Sequence, residues 1–447
     1  MPAAPFFFVP AKLRSRELKR ENIFSAMAGA RRKAKGSGVV RGLGFTLILG
    51  CLLHPLPGFA QTAPSPSAIR QSALALEQQG RNDEAASQWR ALLKLAPSDP
   101  EPYAHLGLIE SRQGNFKEAA GFYRKALSIG PKLPSVELNL GLALFKGGEL
   151  KEAAAVFQPM VQQLPPASAQ AQQVTLLLGM TYYGMAEYAQ AVPYLKAAAE
   201  RDPQSLPLLL ALAHSYLWSR QFKAVMDVYQ KILAVNPDSA EADMLAGEAL
   251  DEMKDNEGST KMFRAAVAAN PKEPNAHFGL GYLLWTQKQY PEAAREFEAE
   301  LANDPNHAQA MLYLADSRMQ LNQPDQARPL LEKVEALDPA LPLAPLDLGI
   351  LYTDAGENAA ALRELEKAEK LIPDDVNVHW RLGRLYRSMG RKEEARAEFD
   401  KASTLNKAVD EDLYKKIASS AARGPHTDAA PSTPGDPSTP AAPTAQR

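Results

Sequence analysis

Nine prolines stand at a fixed interval in this 447-residue chain: Pro97, Pro131, Pro165, Pro203, Pro237, Pro271, Pro305, Pro339 and Pro373. The interval is 34 residues at every step but one, the 38 residues from Pro165 to Pro203. A fixed period of this size marks a stack of like supersecondary units, so the body of the chain reads as a repeat array. Each proline ends a helix, because its ring clashes with the preceding turn and it has no N–H to donate.

Aligned on the prolines, four further columns keep register. A Leu-Gly step comes early in most units, as in Leu106-Gly107, Leu140-Gly141, Leu178-Gly179, Leu280-Gly281, Leu348-Gly349 and Leu382-Gly383. Twelve residues after the glycine comes Ala119, Ala153, Ala191, Ala293, Ala361 or Ala395, and four further on a large apolar side chain such as Tyr123, Phe157 or Phe297. Between the two apolar stretches many units carry a turn glycine: Gly80, Gly114, Gly148, Gly356 and Gly390. These columns describe a helical hairpin. A small residue lets two helices approach closely, and the turn glycine takes the left-handed conformation that ends the first helix. One hairpin cannot bury its apolar stripe alone, so it stacks on its neighbours.

The segments resemble tetratricopeptide repeats. Ten are identified, starting near Pro66, Pro100, Pro134, Gln172, Leu206, Ala240, Pro274, Ala308, Pro342 and Val376, and covering 66–407. The resemblance implies an all-α fold, a right-handed superhelical solenoid of antiparallel hairpins. Some units depart from the pattern. The sixth has Ser259 where alanine is expected and no turn glycine, the fifth has Val225, and the tenth has Lys407 in place of its terminal proline. Pro165-Pro166-Ala167-Ser168 carries the four inserted residues.

The chain ends differ in character. Arg31, Arg32, Lys33, Lys35 and Arg41 precede the apolar stretch LGFTLILGCLL and then PLPGFAQ, an order that reads as a secretory signal peptide over 1–60, cut after Ala60. The apolar core is shorter than the ~20 residues of a spanning helix. The charged segment ahead of Met27 is unlike a leader and points to Met27 as the true start. The string ILGC resembles the bacterial lipoprotein processing box, so a lipid anchor at Cys51 is the alternative. Leu52 and Leu53 continue the apolar run past it and favour cleavage at Ala60. A helix over 408–423 is expected to cap the array. The Pro/Ser/Thr/Ala-rich segment 424–447 has too little apolar surface to order itself.

Removing residues 1–60 leaves 40 basic against 50 acidic residues, a net charge of −10. An acidic chain of this kind is a poor general binder of nucleic acid. The seven histidines form no metal-spaced pair, Cys51 is the single cysteine, and neither a phosphate-cradling glycine loop nor a Gly-x-Ser-x-Gly elbow occurs. No cofactor or metal is expected, and the chain does not read as an enzyme.

In the family the first helices line a concave groove. By position, the resemblance implies partner-binding residues at Phe145, Tyr183, His214, Trp218, Phe278, Tyr282, Trp285 and Met319, with Arg381, Arg384 and Arg387 towards the far end. Acidic residues interrupt this stripe at Glu248, Asp251, Glu252 and Asp316. Such a groove suits a protein or peptide partner anchored by aromatic side chains. The slots that form a carboxylate clamp in some family members hold Arg70, Leu74, Ala104, Leu108, Asn139 and Leu142 here, which argues against capture of a chaperone-type tail. The expectation is a non-catalytic interaction scaffold, periplasmic or secreted. The alternatives are a lipid-anchored assembly factor for outer-membrane, secretion or exopolysaccharide machinery, and the regulatory arm of a glycosyltransferase-type complex. The last would need a large catalytic domain, for which no segment outside the array is long enough.

Overall fold

The protein is described from a computed structural model covering residues 65–422, with side chains through residue 407. The expected leader, Met27, Cys51 and the segment from 424 onwards lie outside the described residues. The described residues form twenty helices and no strand. They divide after Gln287 into two units.

Unit one holds α1 (Pro66–Gln78), α2 (Asn82–Leu95), α3 (Pro100–Gln113), α4 (Phe116–Ile129), α5 (Pro134–Gly147), α6 (Leu150–Gln163) and α7 (Ala169–Gly184). It continues with α8 (Tyr188–Arg201), α9 (Leu206–Trp218), α10 (Phe222–Val235), α11 (Ala240–Glu252), α12 (Asn256–Ala269) and α13 (Ala276–Thr286). Unit two holds α14 (Tyr290–Asn303), α15 (Ala308–Gln320), α16 (Pro324–Leu337), α17 (Leu343–Asp354), α18 (Asn358–Leu371), α19 (Val376–Ser388) and α20 (Lys392–Ala422). Odd-numbered helices are the first members of the repeats and even-numbered ones the second. The architecture is an α-solenoid of helical hairpins.

Local chemistry sets the boundaries. First helices open on a proline or a polar cap. Pro66, Pro100 and Pro134 stand at the first helical position, where a missing N–H costs nothing. Asp99 accepts from the Glu101 N–H at 3.0 Å and Ser168 from the Ala171 N–H at 3.1 Å. Second helices stop because a residue ahead of proline is pushed out of the helical region. Accordingly Ala96, Asn236 and Ile372 sit at φ −137°, −139° and −135°.

The turn between paired helices is left-handed in every repeat, including those with no glycine there. Gly148 has φ +82°, and Ala186, Arg220, Lys254, Lys288 and Asn322 adopt φ between +59° and +66° at the equivalent position. A Schellman-type bond pattern holds these turns. In the sixth repeat the Asp255 N–H donates to the Leu250 carbonyl at 2.9 Å, as the Glu149 N–H does to the Leu144 carbonyl in the third.

Inside each hairpin the small column faces the large one. A Cβ at Gly107 would lie 2.7 Å from the Tyr123 ring, so only glycine lets α3 approach α4 this closely. Ser259, the unexpected residue of the sixth repeat, is fully buried and donates to the Gly247 carbonyl of α11 at 2.8 Å. Its hydroxyl is satisfied by the facing helix, so the slot tolerates serine. Successive first helices also touch one another, α7 with α9, α9 with α11 and α11 with α13 in unit one, and α15 with α17 and α17 with α19 in unit two. First helices are therefore buried against neighbours on several sides. That is why α9 reads LPLLLALAHSYLW while second helices keep one apolar stripe.

Two boundaries differ from the sequence reading. The four inserted residues begin α7 early, at Ala169, making it 16 residues long. The helix expected over 408–423 is not a separate element: α20 runs unbroken from Lys392 to Ala422, 31 residues, because Lys407 lacks the proline that ends the other second helices. Among the described residues, no helix is long and apolar enough to cross a membrane.

Candidate functional site

In unit one the side chains read as partner-binding fall into two neighbourhoods. Phe145 is buried and lines a groove of about 440 Å³ with Leu176 and Met180 of α7 and Leu208 of α9. Gln172, Gln173 and Arg201 stand among the polar side chains of this groove. Arg201 also reaches the carbonyl of Pro166, inside the inserted segment, at 3.5 Å. The inserted residues and the longer α7 thus lie beside this groove.

The second neighbourhood is an aromatic and acidic face. Tyr183 meets Tyr188 edge-on at 5.8 Å and His214 edge-on at 6.3 Å. Trp218 stacks on Tyr188 at 6.2 Å while remaining 43% exposed, among the most exposed large apolar side chains described. Trp285 stacks on Tyr282 at 5.9 Å, and Tyr282 leans on Phe278 at 6.5 Å. Phe278 and Tyr282 are buried, whereas Trp285 and Tyr183 are half-buried. Phe145, Phe278 and Tyr282 therefore pack mainly as core, and Trp218 is the ring held out to solvent.

Repeat register places Met180, His214, Glu248 and Tyr282 at the same position of four consecutive first helices, each 34 residues from the last. His214 Nε2 lies 3.2 Å from Glu241. Burial pushes the Glu248 carboxyl up to about 7, with nearby Asp251 and Glu252 adding to the shift and His214 opposing it. No described side chain hydrogen-bonds Glu248. Asp251 is likewise raised by burial, against the pull of Lys254. Burial, with Asp251 close by, raises the Tyr282 hydroxyl, and burial raises that of Tyr183. The fifth acid of α11, Asp243, points away from this face: it is buried and accepts from the Tyr229 hydroxyl at 2.6 Å, tying α10 to α11.

In unit two the predicted residues stand on different helices. Met319 of α15 is half-buried and packs on the local core cluster. Arg384 and Arg387 of α19 are exposed, and Arg384 lies over the Trp380 ring at 4.8 Å. Arg381 also lies against Trp380, at 5.6 Å, with its Nε buried and without a hydrogen bond. The Asp347 carboxyl is pushed up to about 7 by burial and by Asp316, with Arg381 opposing.

Sequence reasoning missed Tyr188 and Trp380. Tyr188 opens a second helix, in the column of Phe116, Leu150, Phe222 and Tyr290. That column was legible as a periodic apolar position, although it lies off the first helices. Trp380 occupies the column of Phe278 and is exposed by 43%.

Among the described residues one grouping, Glu369, His379 and Glu398, brings three possible metal-ligand atoms within 4.8 Å. The place of a cation is already taken there. Lys401 Nζ lies 3.1 Å from Glu369 and 2.8 Å from Glu398, while His379 Nε2–H donates to the Pro373 carbonyl at 2.7 Å. Lys367 bridges Glu335 and Glu364 in the same way one period earlier, with no histidine present. The arrangement is a repeated lysine bridge between second helices.

Comparison with solved structures finds repeat proteins of low identity. MamA is 21% identical over 37% of this chain and 96% of its own, with a TM-score of 0.35. YrrB, described as a repeat protein with an unusual peptide-binding site, is 20% identical over 42% of this chain and 97% of its own, with a TM-score of 0.37. A human IFIT1 dimer with PPP-AAAA is 16% identical over 76% of this chain and 91% of its own, with a TM-score of 0.36. No curated protein matches in sequence. Two models of the tetratricopeptide repeat match, one at residues 70–134, 252–308 and 283–342, the other at 111–176, 182–249 and 352–417. Matched across well over half its length and built of hairpins in a constant register, the chain belongs to the tetratricopeptide repeat family.

Proposed function

We propose that the protein is a non-catalytic scaffold of the cell envelope that holds a protein or peptide partner against the first-helix face of unit one. The observation that carries this reading is Trp218, a large aromatic ring kept 43% exposed beside Tyr188, Tyr183 and His214. Exposed aromatic anchors on a rigid helical surface bind at low entropic cost, because few torsions are frozen on contact. Membership of a repeat family supports the scaffold role. The basic and apolar order of residues 31–60 supports export, with lipidation at Cys51 as the competing maturation.

The test is capture of the native partner from envelope extract by the wild-type chain and by the Trp218→Ala, Trp285→Ala pair. The pair variant is expected to lose most of the capture, at least tenfold, while its circular dichroism spectrum stays that of the wild type. Undiminished capture by a folded pair variant contradicts the reading.

A further inference from the structure

We infer that the partner segment seated on this face is cationic, and that lysine or arginine side chains enter between the aromatic rings and the carboxylates of α11. The inference rests on the groove reading above and adds the chemistry of its occupant.

Charge is distributed unevenly over the four first helices involved. α7, α9, α11 and α13 contain no lysine or arginine at all. Their acids are confined to α11, which carries five. One of these, Asp243, is spent on Tyr229. Glu241 faces His214, and Glu252 has only a long contact with Arg220 at 3.5 Å, made by a side chain 73% exposed. Glu248 and Asp251 have no described ion pair. Lys254 beside Asp251 and Arg220 beside Glu252 offset part of this charge, and both stand outside the four helices. The face keeps an excess of carboxylates over cations, in partly desolvated positions where a carboxylate is costly.

A second observation points to the same ligand class. Aromatic rings flank these acids on both sides, with Tyr183, Tyr188 and Trp218 on one and Trp285, backed by the buried Tyr282, on the other. The face of an aromatic ring attracts a cation, and most strongly where water is thinned out. A carboxylate between two aromatic pairs recognises an ammonium or guanidinium group and its alkyl stem together. An anionic segment would meet only repulsion here, and a purely apolar one would leave Glu248 and Asp251 buried without a counter-charge.

The experiment uses the full chain and two fluorescein-labelled twelve-residue peptides, one alternating lysine with alanine, the other glutamate with alanine. Binding is read by fluorescence anisotropy at low and high salt. The lysine peptide is expected to bind and to weaken with salt, and the glutamate peptide is expected not to bind. The Glu248→Gln, Asp251→Asn, Glu252→Gln variant should bind the lysine peptide at least tenfold more weakly, and Trp218→Ala severalfold more weakly. A control with the exposed second-helix acids neutralised (Glu84→Gln, Glu118→Gln, Glu152→Gln) removes as many carboxyl groups and should bind as wild type. Equal loss in the control, no loss in the α11 variant, or binding of the glutamate peptide overturns the inference. Partner capture that depends on Trp218 and Trp285 but survives the α11 neutralisation would refute the cationic chemistry and leave the groove reading standing. Capture that is indifferent to the tryptophans would refute the groove itself.

Discussion

Two kinds of residue in this chain hold unfavourable conformations or charges for a reason that can be measured. The left-handed turn residues are the first kind. Nothing lies within 4 Å of a Cβ built on Gly148, so Gly148→Ala meets no steric clash and costs only the backbone term, about 1 kcal/mol. Ala186→Gly should stabilise by less than about 1 kcal/mol, because glycine's greater freedom in the unfolded chain offsets part of the relief. Urea melts of the two variants, moving in opposite directions, check this. Glu248 is the second kind. Its folded carboxyl, at about 7, binds a proton more tightly than a glutamate at its ordinary value of 4.5. The stability it contributes is therefore full below that lower value and is lost as pH rises through about 7. Glu248→Gln removes the dependence and should gain about 1–2 kcal/mol over wild type between pH 4.5 and pH 8, once its partial exposure to water is allowed for. Urea melts at the two pH values read the difference, and a constant gap would contradict it.

At the scale of the element, α20 shows what the missing proline does. Lys407→Pro should end the helix about two residues earlier than 407, as prolines end the other second helices, and release roughly fifteen residues of helix. Amide exchange should then quicken over 408–422 while protection within α19 and the start of α20 is retained. Much of this level was legible in the sequence, since a proline column, a small column facing a large one and turn glycines are direct consequences of how two helices meet. Three features were not. The left-handed turn persists at Arg220 and Lys254 because the Gln221 N–H to Tyr216 carbonyl and Asp255 N–H to Leu250 carbonyl bonds close it whichever side chain it carries. Ser259 fits because the carbonyl it bonds belongs to another helix, which the local sequence does not reveal. The burial of Phe145 and Tyr282 follows from first helices touching each other, so residues assigned to an open face by register prove to be shared with the core. Trp218 escapes that fate at the last position of α9, where the helix ends and leaves the ring stacked on Tyr188 with much of its surface exposed.

At the scale of the whole molecule, contacts within each unit run from one helix to the next or next but one, as expected of a repeat array whose stability is a sum of local terms. Such a molecule offers long first-helix surfaces. Unit one gathers aromatic rings and carboxylates there, and unit two sets Trp380 among Arg381 and Arg384. The central claim is that the first-helix face of unit one is the working surface, and site-specific photocrosslinking tests it most directly. A benzophenone side chain replaces Trp218 in one variant and Lys196, exposed on second helix α8, in another. Irradiation in living cells should give a discrete partner adduct from position 218 and none from position 196. Adducts from position 196 with none from position 218 would contradict the account.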